Sequence, residues 1–366
     1  MNKKLVVEVY LEKKHVGMLV LTPKELCAFE YDKDFLKNGV SISPFSLPLQ
    51  SGVFVAKRDP FRGGFGVFDD SLPDGWGNLV LDRYLQQKGI NPYRLTVLER
   101  LTLVGSTGRG ALEYRPDESV DIEESSFDFN KLAAESAKIL ASDYSGGSLE
   151  TLYQYGGSPG GARPKIFAKI NGKEWLVKFK SASDPVDVGK KEYEYSLLAG
   201  ECGIEMPETY LFEDKYFGVR RYDRTAGGKI HTISIAGLLN ADYRIPCLDY
   251  TDLLILCRKL TLDMEQVYML FRQMVFNVAI CNRDDHAKNF SFQLKGNRWQ
   301  LSPAYDVLPS NGFNGYHTTT VNNQGDPSWE DVMTVASNVG LNMKRAKSIC
   351  DEIIEKCKVK NMYMRK

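Results

Sequence analysis

The stretch from position 267 to 302 constrains the fold more than any other part of the sequence. It begins with an apolar run, VYMLFRQMVFNVAIC (267–281), which is broken by polar residues and is too short to span a membrane. NRDDHAKNFSF (282–292) follows directly and places two acids, a histidine, a lysine and an asparagine within eight positions. A solvated helix end and a metal-and-phosphate site both fit this pattern, and other parts of the chain distinguish them.

The overall composition excludes several classes of protein. Basic and acidic residues number 47 each, so the chain lacks the basic footprint of a dedicated nucleic-acid binder. We therefore expect no strong direct nucleic-acid binding, and no membrane partner either. The start, MNKKLVVEVYLEKK, has no apolar core of a secretory signal. The seven scattered cysteines include no CxxC pair, which predicts a reducing, cytoplasmic compartment.

Hydrophobic periodicity predicts a β-rich opening to the chain. KLVVEVYLEKKHVGMLVL (4–21) alternates apolar and polar residues around a KKHVG turn, and CAFEY (27–31) predicts a third strand. The spacing of apolar residues then changes from alternation to a helical period. FDDSLPDGWGNLVLDRYLQQKG (68–89) predicts a helix capped by Asp74 or Ser71.

The second half of the chain combines hairpins with helices. IFAKI and KEWLVKFK (166–180) flank Asn171-Gly172, which is a strong short-range hairpin signal. From 249 onward helices dominate, and a second predicted hairpin at 289–306 interrupts them. The acidic, serine-rich stretch RPDESVDIEESSFDF (115–129) is either a linker or a solvated loop.

A Gly-rich segment precedes the first of these hairpins. YGGSPGGARPK (155–165) contains four glycines and two prolines. Glycines let backbone N–H groups approach a phosphate closely, although a flexible connector has the same composition. No GK[ST] follows, so the segment is not a Walker A loop.

Lys178 is the candidate phosphate contact from the strand after this loop. On period two, Trp175 and Val177 share one face and Lys178 lies on the other. A strand lysine in this place reaches nucleotide phosphates in kinases, whereas an edge-strand lysine that limits aggregation is the alternative. Glu192, or its rival Glu194, would pair with it from the next helix, and a plain surface acid is the alternative for either one alone.

The charged stretch 282–292 contains an Asp and an Asn at kinase spacing. In phosphoryl transfer of the kinase type an Asp accepts the hydroxyl proton and an Asn five residues later holds a metal, which matches Asp284 and Asn289. The second hairpin leads to SPAYD, where Asp306 supplies a carboxylate of the kind that Mg²⁺ prefers. A turn residue after Pro303 is the alternative for Asp306.

The order of these parts is the strongest signal. A Gly loop, strand lysine, helix glutamate, hinge-like stretch (YFGVRRYD), helical region, Asp-to-Asn pair, hairpin and final Asp follow one another as in a bilobal kinase.

The motifs GGSPGGARPK, LVKFK, NRDDHAKNFSF and LSPAYD together resemble the HipA-like serine/threonine protein kinases, the toxins of bacterial toxin–antitoxin pairs. SLPDGWGNLVLDRYL and LVGSTGRGALEY resemble that family's N-terminal subdomain, so the resemblance covers nearly the whole chain. It implies an α+β fold in which a bilobal protein-kinase-like core, with a small β-rich N-lobe and a mainly helical C-lobe, follows a β-rich N-terminal subdomain. The expected boundaries are 1–114 for the N-terminal subdomain, 115–149 for an acidic linker plus helix, 150–240 for the N-lobe and 241–366 for the C-lobe.

The resemblance also implies cofactors, partners and residue roles. ATP and Mg²⁺ are the implied cofactors, a small helix-turn-helix antitoxin is the implied partner, and an aminoacyl-tRNA synthetase is the best-known kind of target, with a role in bacterial persistence. Asp284 matches the catalytic base, Lys178 matches the ATP-phosphate lysine, and Asn289 and Asp306 match the Mg²⁺ ligands. Ser158 matches a serine whose autophosphorylation ejects the Gly loop and switches the kinase off. The predicted cofactor contacts are Ser158, Gly160, Gly161, Ala162, Lys165, Lys178, Arg220, Tyr222, His286, Asn289 and Asp306.

Three features depart from ordinary protein kinases. His286 stands where those kinases usually carry lysine, and we expect it to hydrogen-bond the nearby backbone while Lys288 compensates. Asp285 is expected to be a solvent-facing or loop-stabilising acid. Asp306 is followed by Val-Leu rather than Phe-Gly and no APE motif occurs, which argues against the usual activation-loop control.

Three other functions remain open on the sequence. A small-molecule or lipid kinase also uses an Asp-x₄-Asn loop. A catalytically silent co-repressor module would act with a DNA-binding antitoxin. A metal-dependent hydrolase would use Asp284, Asp285, His286 and Asp306, but it leaves Lys178 and the Gly loop unexplained.

Overall fold

The computed structural model describes residues 5–120, 127–143, 146–156, 161–312 and 314–365 of the 366-residue chain. The chain divides into two compact units. The first unit consists of Met1–Lys190, Tyr210–Ile233 and Gly237–Asn240, and the second consists of Lys191–Thr209, Ser234–Ala236 and Ala241–Lys366.

The first unit opens with a five-stranded antiparallel sheet of order β4-β3-β2-β1-β5. Its strands are β1 (Val7–Leu11), β2 (Lys14–Leu21), β3 (Cys27–Tyr31), β4 (Val53–Val55) and β5 (Leu112–Arg115). The first three confirm the predicted strands, but the first turn is Glu12-Lys13, at the very start of the predicted KKHVG turn (13–17). Both of these residues take a left-handed backbone, φ 49° and 66°, which closes a two-residue hairpin.

Four α-helices lie between β3 and β5 in the sequence. They are α1 (Lys33–Asn38), α2 (Gly66–Asp69), α3 (Gly75–Gln87) and α4 (Val97–Val104). The helix predicted at 68–89 is therefore two helices, because the backbone is extended at Asp74 before α3 begins. Asp74 holds the N-cap position of α3, but its side chain does not cap the helix.

A four-stranded sheet of order β6-β7-β9-β8 forms the second part of this unit. Along the chain this region contains α5 (Phe129–Leu140), α6 (Gly146–Gly156), β6 (Lys165–Ile170), β7 (Lys173–Lys178), α7 (Val188–Glu201), β8 (Thr209–Phe212) and β9 (Tyr216–Arg220). Most of α7 belongs to the second unit. Asn171 and Gly172 both have positive φ, which confirms the predicted hairpin. Trp76, Phe129, Ile166 and Val177 are buried in one apolar core that joins α3 and α5 to the sheet.

Short elements connect the two units along the chain. They are β10 (Arg224–Thr225), β11 (Gly228–Lys229), β12 (His231–Ser234), α8 (Ile235–Leu239) and β13 (Leu248–Asp249). The strands β10 and β11 form a small antiparallel pair.

Helices dominate the second unit, as the sequence predicts. Its elements are α9 (Tyr250–Thr261), α10 (Met264–Ala279), β14 (Ser291–Lys295), β15 (Arg298–Leu301), β16 (Thr319–Thr320), α11 (Trp329–Asn338) and α12 (Met343–Val359). The apolar run forms α10, which starts at the side-chain cap of Asp263 and is buried along most of its length. The predicted second hairpin is β14-β15, and β13 pairs with β16 in parallel. No helix in the described parts of the chain is long and apolar enough to cross a membrane.

Candidate active site

The charged stretch after α10 forms a loop that presents one exposed acid. The Asp284 side chain is 62% exposed, whereas Asp285, Lys288 and Asn289 are buried. A short 3-10 turn, Ala287–Asn289, folds the end of the loop back toward its beginning. Asp284 is therefore exposed, whereas the loop residues around it are buried in the protein.

Asn289 is tied to the main chain of Asp284. Its side-chain Nδ2 donates to the carbonyl oxygen of Asp284 at 2.5 Å, and its backbone N–H donates to the carbonyl oxygen of His286 at 2.8 Å. Because Nδ2 is the donor in this contact, Oδ1 is the atom of Asn289 that can face a cation.

His286 makes the backbone hydrogen bond that we expected of it. Its Nδ1 accepts from the Lys288 N–H at 3.2 Å, and its Nε2 lies 4.0 Å from Oδ1 of Asp284. The Lys288 ammonium lies 4.3 Å from the ring centroid of Tyr243, an aromatic contact that no local sequence pattern predicts.

Asp306 has an unusual backbone for a residue other than glycine. Its φ is 54°, in the left-handed region, and its carbonyl oxygen accepts a 3.0 Å hydrogen bond from Nδ2 of Asn282. Together with Asn289, Asp306 offers hard oxygen ligands, which is the donor set that Mg²⁺ takes when phosphate oxygens complete its shell. The residues present therefore fit Mg²⁺ bound with a nucleotide.

Asp285 is buried, which decides between its two expected roles in favour of a loop-stabilising acid. Its Oδ2 accepts from the Tyr250 hydroxyl at 3.0 Å and from Nδ1 of His317 at 2.8 Å. Its Oδ1 accepts from the backbone N–H groups of Thr318 and Thr319 at 2.9 and 3.2 Å. Asp285 is therefore a loop-stabilising acid, and both of its oxygens are used inside the protein. This removes it from the ligand set that a metal-dependent hydrolase would need.

Sequence reasoning missed His317 and Tyr250, because they lie 32 and 35 positions from Asp285 and no local pattern marks them. Burial and the neighbouring Asp285 carboxylate raise the pKa of the Tyr250 hydroxyl well above its ordinary value. Tyr250 therefore stays protonated and acts as a donor.

Lys178 is the last residue of β7, in the first unit. Trp175 and Val177 are buried and Lys178 is half-buried, which confirms the period-two assignment of the strand faces. The Lys178 ammonium lies 5.6 Å from the ring centroid of Phe217 on the neighbouring strand β9.

The described end of the Gly-rich loop is held by the start of α3. The N–H of Gly161 donates to the Asp74 carboxylate, and the N–H of Trp76 donates to the carbonyl oxygen of Gly161 at 3.0 Å. A Cβ added at Gly75 would lie 2.8 Å from Cα of Ala162, so this approach needs a glycine. Ser158 and Gly160 lie outside the described residues.

The two basic side chains next to the loop differ in their surroundings. The Lys165 side chain is buried directly against Gly161, and its carbonyl oxygen accepts from the Trp76 indole N–H at 2.9 Å. Arg163 contacts Asp184 through Nε and Nη2 at 3.0 to 3.2 Å. In this structure Arg163 is therefore engaged with a carboxylate of the same unit.

The residues just after β9, at the end of the hinge-like stretch, form an ion cluster that sequence reasoning did not single out. Arg221 and Asp223 are buried and form an ion pair at 2.9 Å, and Arg224 reaches the same carboxylate at 2.9 Å. Burial alone would raise the pKa of Asp223, but the two guanidinium groups outweigh it and lower that pKa. The predicted contact Tyr222 accepts from Nη2 of Arg109 at 2.8 Å.

The two rival acids of α7 differ in burial. Glu192 is buried and Glu194 is exposed. Both belong to the second unit and Lys178 belongs to the first, so the pairing stays a prediction.

The predicted site residues divide between the two units. Those of the first unit are Gly161, Ala162, Lys165, Lys178, Arg220 and Tyr222, and those of the second unit are Asp284, His286, Asn289 and Asp306. Within the second unit, direct contacts join Asp284, His286 and Asn289. Asp306 is linked to the same loop through Asn282.

Among solved structures, a chain of the Shewanella oneidensis MR-1 toxin–antitoxin complex of HipA, HipB and operator DNA aligns with this protein. The alignment covers 98% of this chain and 91% of that chain, with 18% identity and a TM-score of 0.72, so the two share a fold. The Helicobacter pylori proinflammatory kinase CtkA aligns over 53% of this chain and 90% of its own, at 13% identity and a TM-score of 0.35, which is too low to extend the fold assignment.

The family comparisons cover both halves of the chain. No curated protein gives a significant match. A model of the HipA N-terminal domain matches residues 7–115, and a model of the HipA-like C-terminal domain matches residues 157–360. The second match alone spans more than half of the sequence, which confirms the resemblance that the motifs indicated: the chain belongs to the HipA family.

Proposed function

We propose that this protein is an ATP- and Mg²⁺-dependent serine/threonine protein kinase of the toxin–antitoxin type. One observation carries the proposal. Asp284 is exposed on a loop that is otherwise largely buried, and Asn289, five residues later, is hydrogen-bonded to the Asp284 carbonyl oxygen. This is the arrangement that a hydroxyl-activating acid and a neighbouring metal ligand require.

Each candidate residue has a defined task in this proposal. Asp284 orients a Ser or Thr hydroxyl and accepts its proton. Asn289 and Asp306 hold Mg²⁺ through their side-chain oxygens, and Lys178 contributes a positive contact to the phosphates. When bound, ATP would supply the phosphoryl group, and Mg²⁺ would neutralise the negative charge that develops on that group during transfer. Positioning and electrostatic stabilisation provide most of the acceleration.

We propose the acceptors of the phosphoryl group from the family resemblance. The external substrate is a cellular protein, with an aminoacyl-tRNA synthetase as the first candidate, and the internal one is Ser158. A phosphate on Ser158 would add negative charge and strong acceptors seven positions before Lys165, whose side chain is buried against Gly161. Arg163 would join only by leaving Asp184.

A small helix-turn-helix antitoxin is the proposed partner. The similar Shewanella structure contains HipA, HipB and operator DNA together. Acidic and basic residues balance in the present chain, so we assign the main DNA contacts of any such assembly to the partner.

Intact-mass and peptide mass spectrometry after incubation with Mg·ATP tests the proposal. The samples are unphosphorylated wild-type protein, Asp284→Asn, and Asp351→Asn as a matched control at an exposed acid of α12. We expect phosphate on Ser158 in the wild type and the control but not in Asp284→Asn. ATP consumption with phosphate on a small acceptor alone would indicate a small-molecule kinase. Absence of ATP binding would indicate a silent binding module.

A further inference from the structure

Asp285, beside the candidate base, lies at one end of a buried chain of hydrogen bonds. The Tyr250 hydroxyl donates to Asp285 and accepts from Nδ2 of Asn277 at 3.0 Å. Oδ1 of Asn277 accepts from Nδ2 of Asn282 at 3.1 Å, and the same amide donates to the carbonyl oxygen of Asp306 at 3.0 Å. This series of hydrogen bonds therefore joins Asp285, the residue after Asp284, to the backbone of Asp306.

The same carboxylate also fixes the segment that carries His317. Thr318 donates its backbone N–H to Oδ1 of Asp285 and its hydroxyl to the carbonyl oxygen of Arg283 at 3.0 Å. Thr319 donates its hydroxyl to the carbonyl oxygen of Asp285. The loop is thus bound to this segment on both sides of Asp284, through Arg283 and Asp285.

The segment itself has an independent anchor. The Thr320 hydroxyl donates to Oδ2 of Asp249 at 2.7 Å, and Asn323 donates its backbone N–H to the same atom at 2.8 Å. Asp249 is the N-cap of α9, so the segment that carries His317 is tied to the start of that helix.

Burial of a carboxylate lowers the stability of a protein unless both of its oxygens accept hydrogen bonds. The Asp285 and His317 side chains are 0% and 1% exposed, and the carboxylate receives four hydrogen bonds. Removal of one donor leaves part of this charge unsatisfied, and the loop must rearrange or admit water. A shift of about 1 Å in a catalytic group lowers turnover by about 10²-fold, so the loop position matters for chemistry.

We propose that Asp285 and His317 are positioning residues that fix the backbone of Asp284 and, through Tyr250, Asn277 and Asn282, the backbone of Asp306. The proposal rests on the proposed phosphoryl transfer at Asp284. Neither residue of the pair touches substrate. Their effect is to set the geometry between the base and one metal ligand before the substrates bind.

Three variants in the full-length protein test the proposal. His317→Ala removes the donor to Asp285, whereas His317→Asn places an amide nitrogen near the former Nδ1 and restores a donor. Tyr250→Phe deletes the single hydroxyl that links Asp285 to Asn277 in the series of hydrogen bonds. Tyr268→Phe is the matched control, since this buried α10 tyrosine accepts from the Asn342 N–H at 2.8 Å, outside the hydrogen-bonded chain that contains Asp285.

Two measurements are made on each variant. The first is the steady-state rate with Mg·ATP, and the second is amide hydrogen exchange of the free protein over residues 282–291 and 302–308. We expect His317→Ala and Tyr250→Phe to lower kcat by about 10- to 100-fold with little change in KM for ATP, and to speed exchange in both segments. His317→Asn recovers most of the rate, and Tyr268→Phe changes neither quantity.

Wild-type kcat and unchanged exchange in His317→Ala and Tyr250→Phe would overturn the proposal, and so would equal losses in Tyr268→Phe. If the wild type transfers no phosphate, the proposed function fails, but the exchange data still decide whether the pair positions both segments. If His317→Ala does not fold, Tyr250→Phe carries the same test with one oxygen removed.

Discussion

The side-chain amide of Asn282 donates a 3.0 Å hydrogen bond to the carbonyl oxygen of Asp306. Asp306 has a φ of 54° and Asn282 is buried, so an internal amide holds a residue whose backbone is uncommon outside glycine. Asp and Asn tolerate this conformation better than other residues, because their short polar side chains bond locally. Functional sites are where such backbones concentrate, and Asp306 is the candidate metal ligand.

Substitution of Asp306 should separate its chemical role from its backbone role. Asp306→Asn keeps a residue that accepts the left-handed conformation but removes the charge, and Asp306→Gly removes the side chain while relaxing the backbone. If the carboxylate holds Mg²⁺, both variants lose at least about 10²-fold in kcat. Their melting temperatures should stay close to that of the wild type. Phosphate transfer and thermal unfolding, measured in parallel, check both expectations.

Asp214 offers a matched control for this pair of variants. It has a φ of 52° in the exposed turn between β8 and β9. Asp214→Asn and Asp214→Gly should change stability as little as the Asp306 variants do and leave transfer intact. Full activity in Asp306→Asn would exclude a metal-binding role for that carboxylate.

The ion cluster around Asp223 should be important for the stability of the first unit. Asp223→Ala leaves the buried Arg221 and the nearby Arg224 with Glu174, a half-buried acid 3.2 and 3.5 Å from them, as their shared carboxylate. Because the buried Asp223 carboxylate that pairs with both is lost, we expect a loss of about 3 kcal/mol in the free energy of unfolding. Asp34→Ala breaks an exposed ion pair with Lys37 in the same unit and should lower the free energy of unfolding far less than Asp223→Ala does. Denaturant titration of both variants gives the comparison. Equal losses in the free energy of unfolding would mean that the Asp223 cluster stabilises the first unit no more than an exposed ion pair does.

The sequence predicted those features of the fold that depend on local residues. The hairpin at Asn171-Gly172 follows from two positions that accept positive φ, and the buried helix α10 follows from its apolar run. The burial of Asp285 could not be predicted in the same way, because the donor that fills its carboxylate, His317, lies 32 positions away.

The same limit applies to the Gly-rich loop. Its composition indicated a backbone that approaches a ligand, but the Asp74 carboxylate that holds the Gly161 N–H lies 87 positions earlier. Asp74 was expected only as a helix cap, which is the usual role of an Asp before a helical period. Tertiary contacts of this length leave no periodic trace in a single sequence.

Protonation of His231 should make the first unit less stable in mild acid. Burial lowers the pKa of His231, although its contact with the Ile42 carbonyl oxygen and the charge of Asp70 act in the opposite direction. The unfolded chain therefore binds more protons than the folded chain below about pH 6.5. The free energy of unfolding falls as the pH decreases from about 6.5, by up to about 1.4 kcal/mol per pH unit.

Denaturant unfolding at pH 7, 6 and 5 measures this dependence. His231→Gln should show a smaller decrease than the wild type over that range, whatever its stability at pH 7. An identical pH profile for wild type and His231→Gln would show that His231 does not titrate in this range.

Lys178 and Lys180 provide a direct test of the proposed nucleotide contact. Lys178 is half-buried at the end of β7, whereas Lys180, two residues later, is exposed. If Lys178 contacts the phosphates, Lys178→Met weakens Mg·ATP binding by about tenfold or more, since a charge-assisted contact contributes about 1.5–3 kcal/mol. Mg·ATP should then raise the melting temperature of the wild type and of Lys180→Met but have little effect on Lys178→Met. An equal shift in both variants would place the phosphates away from Lys178.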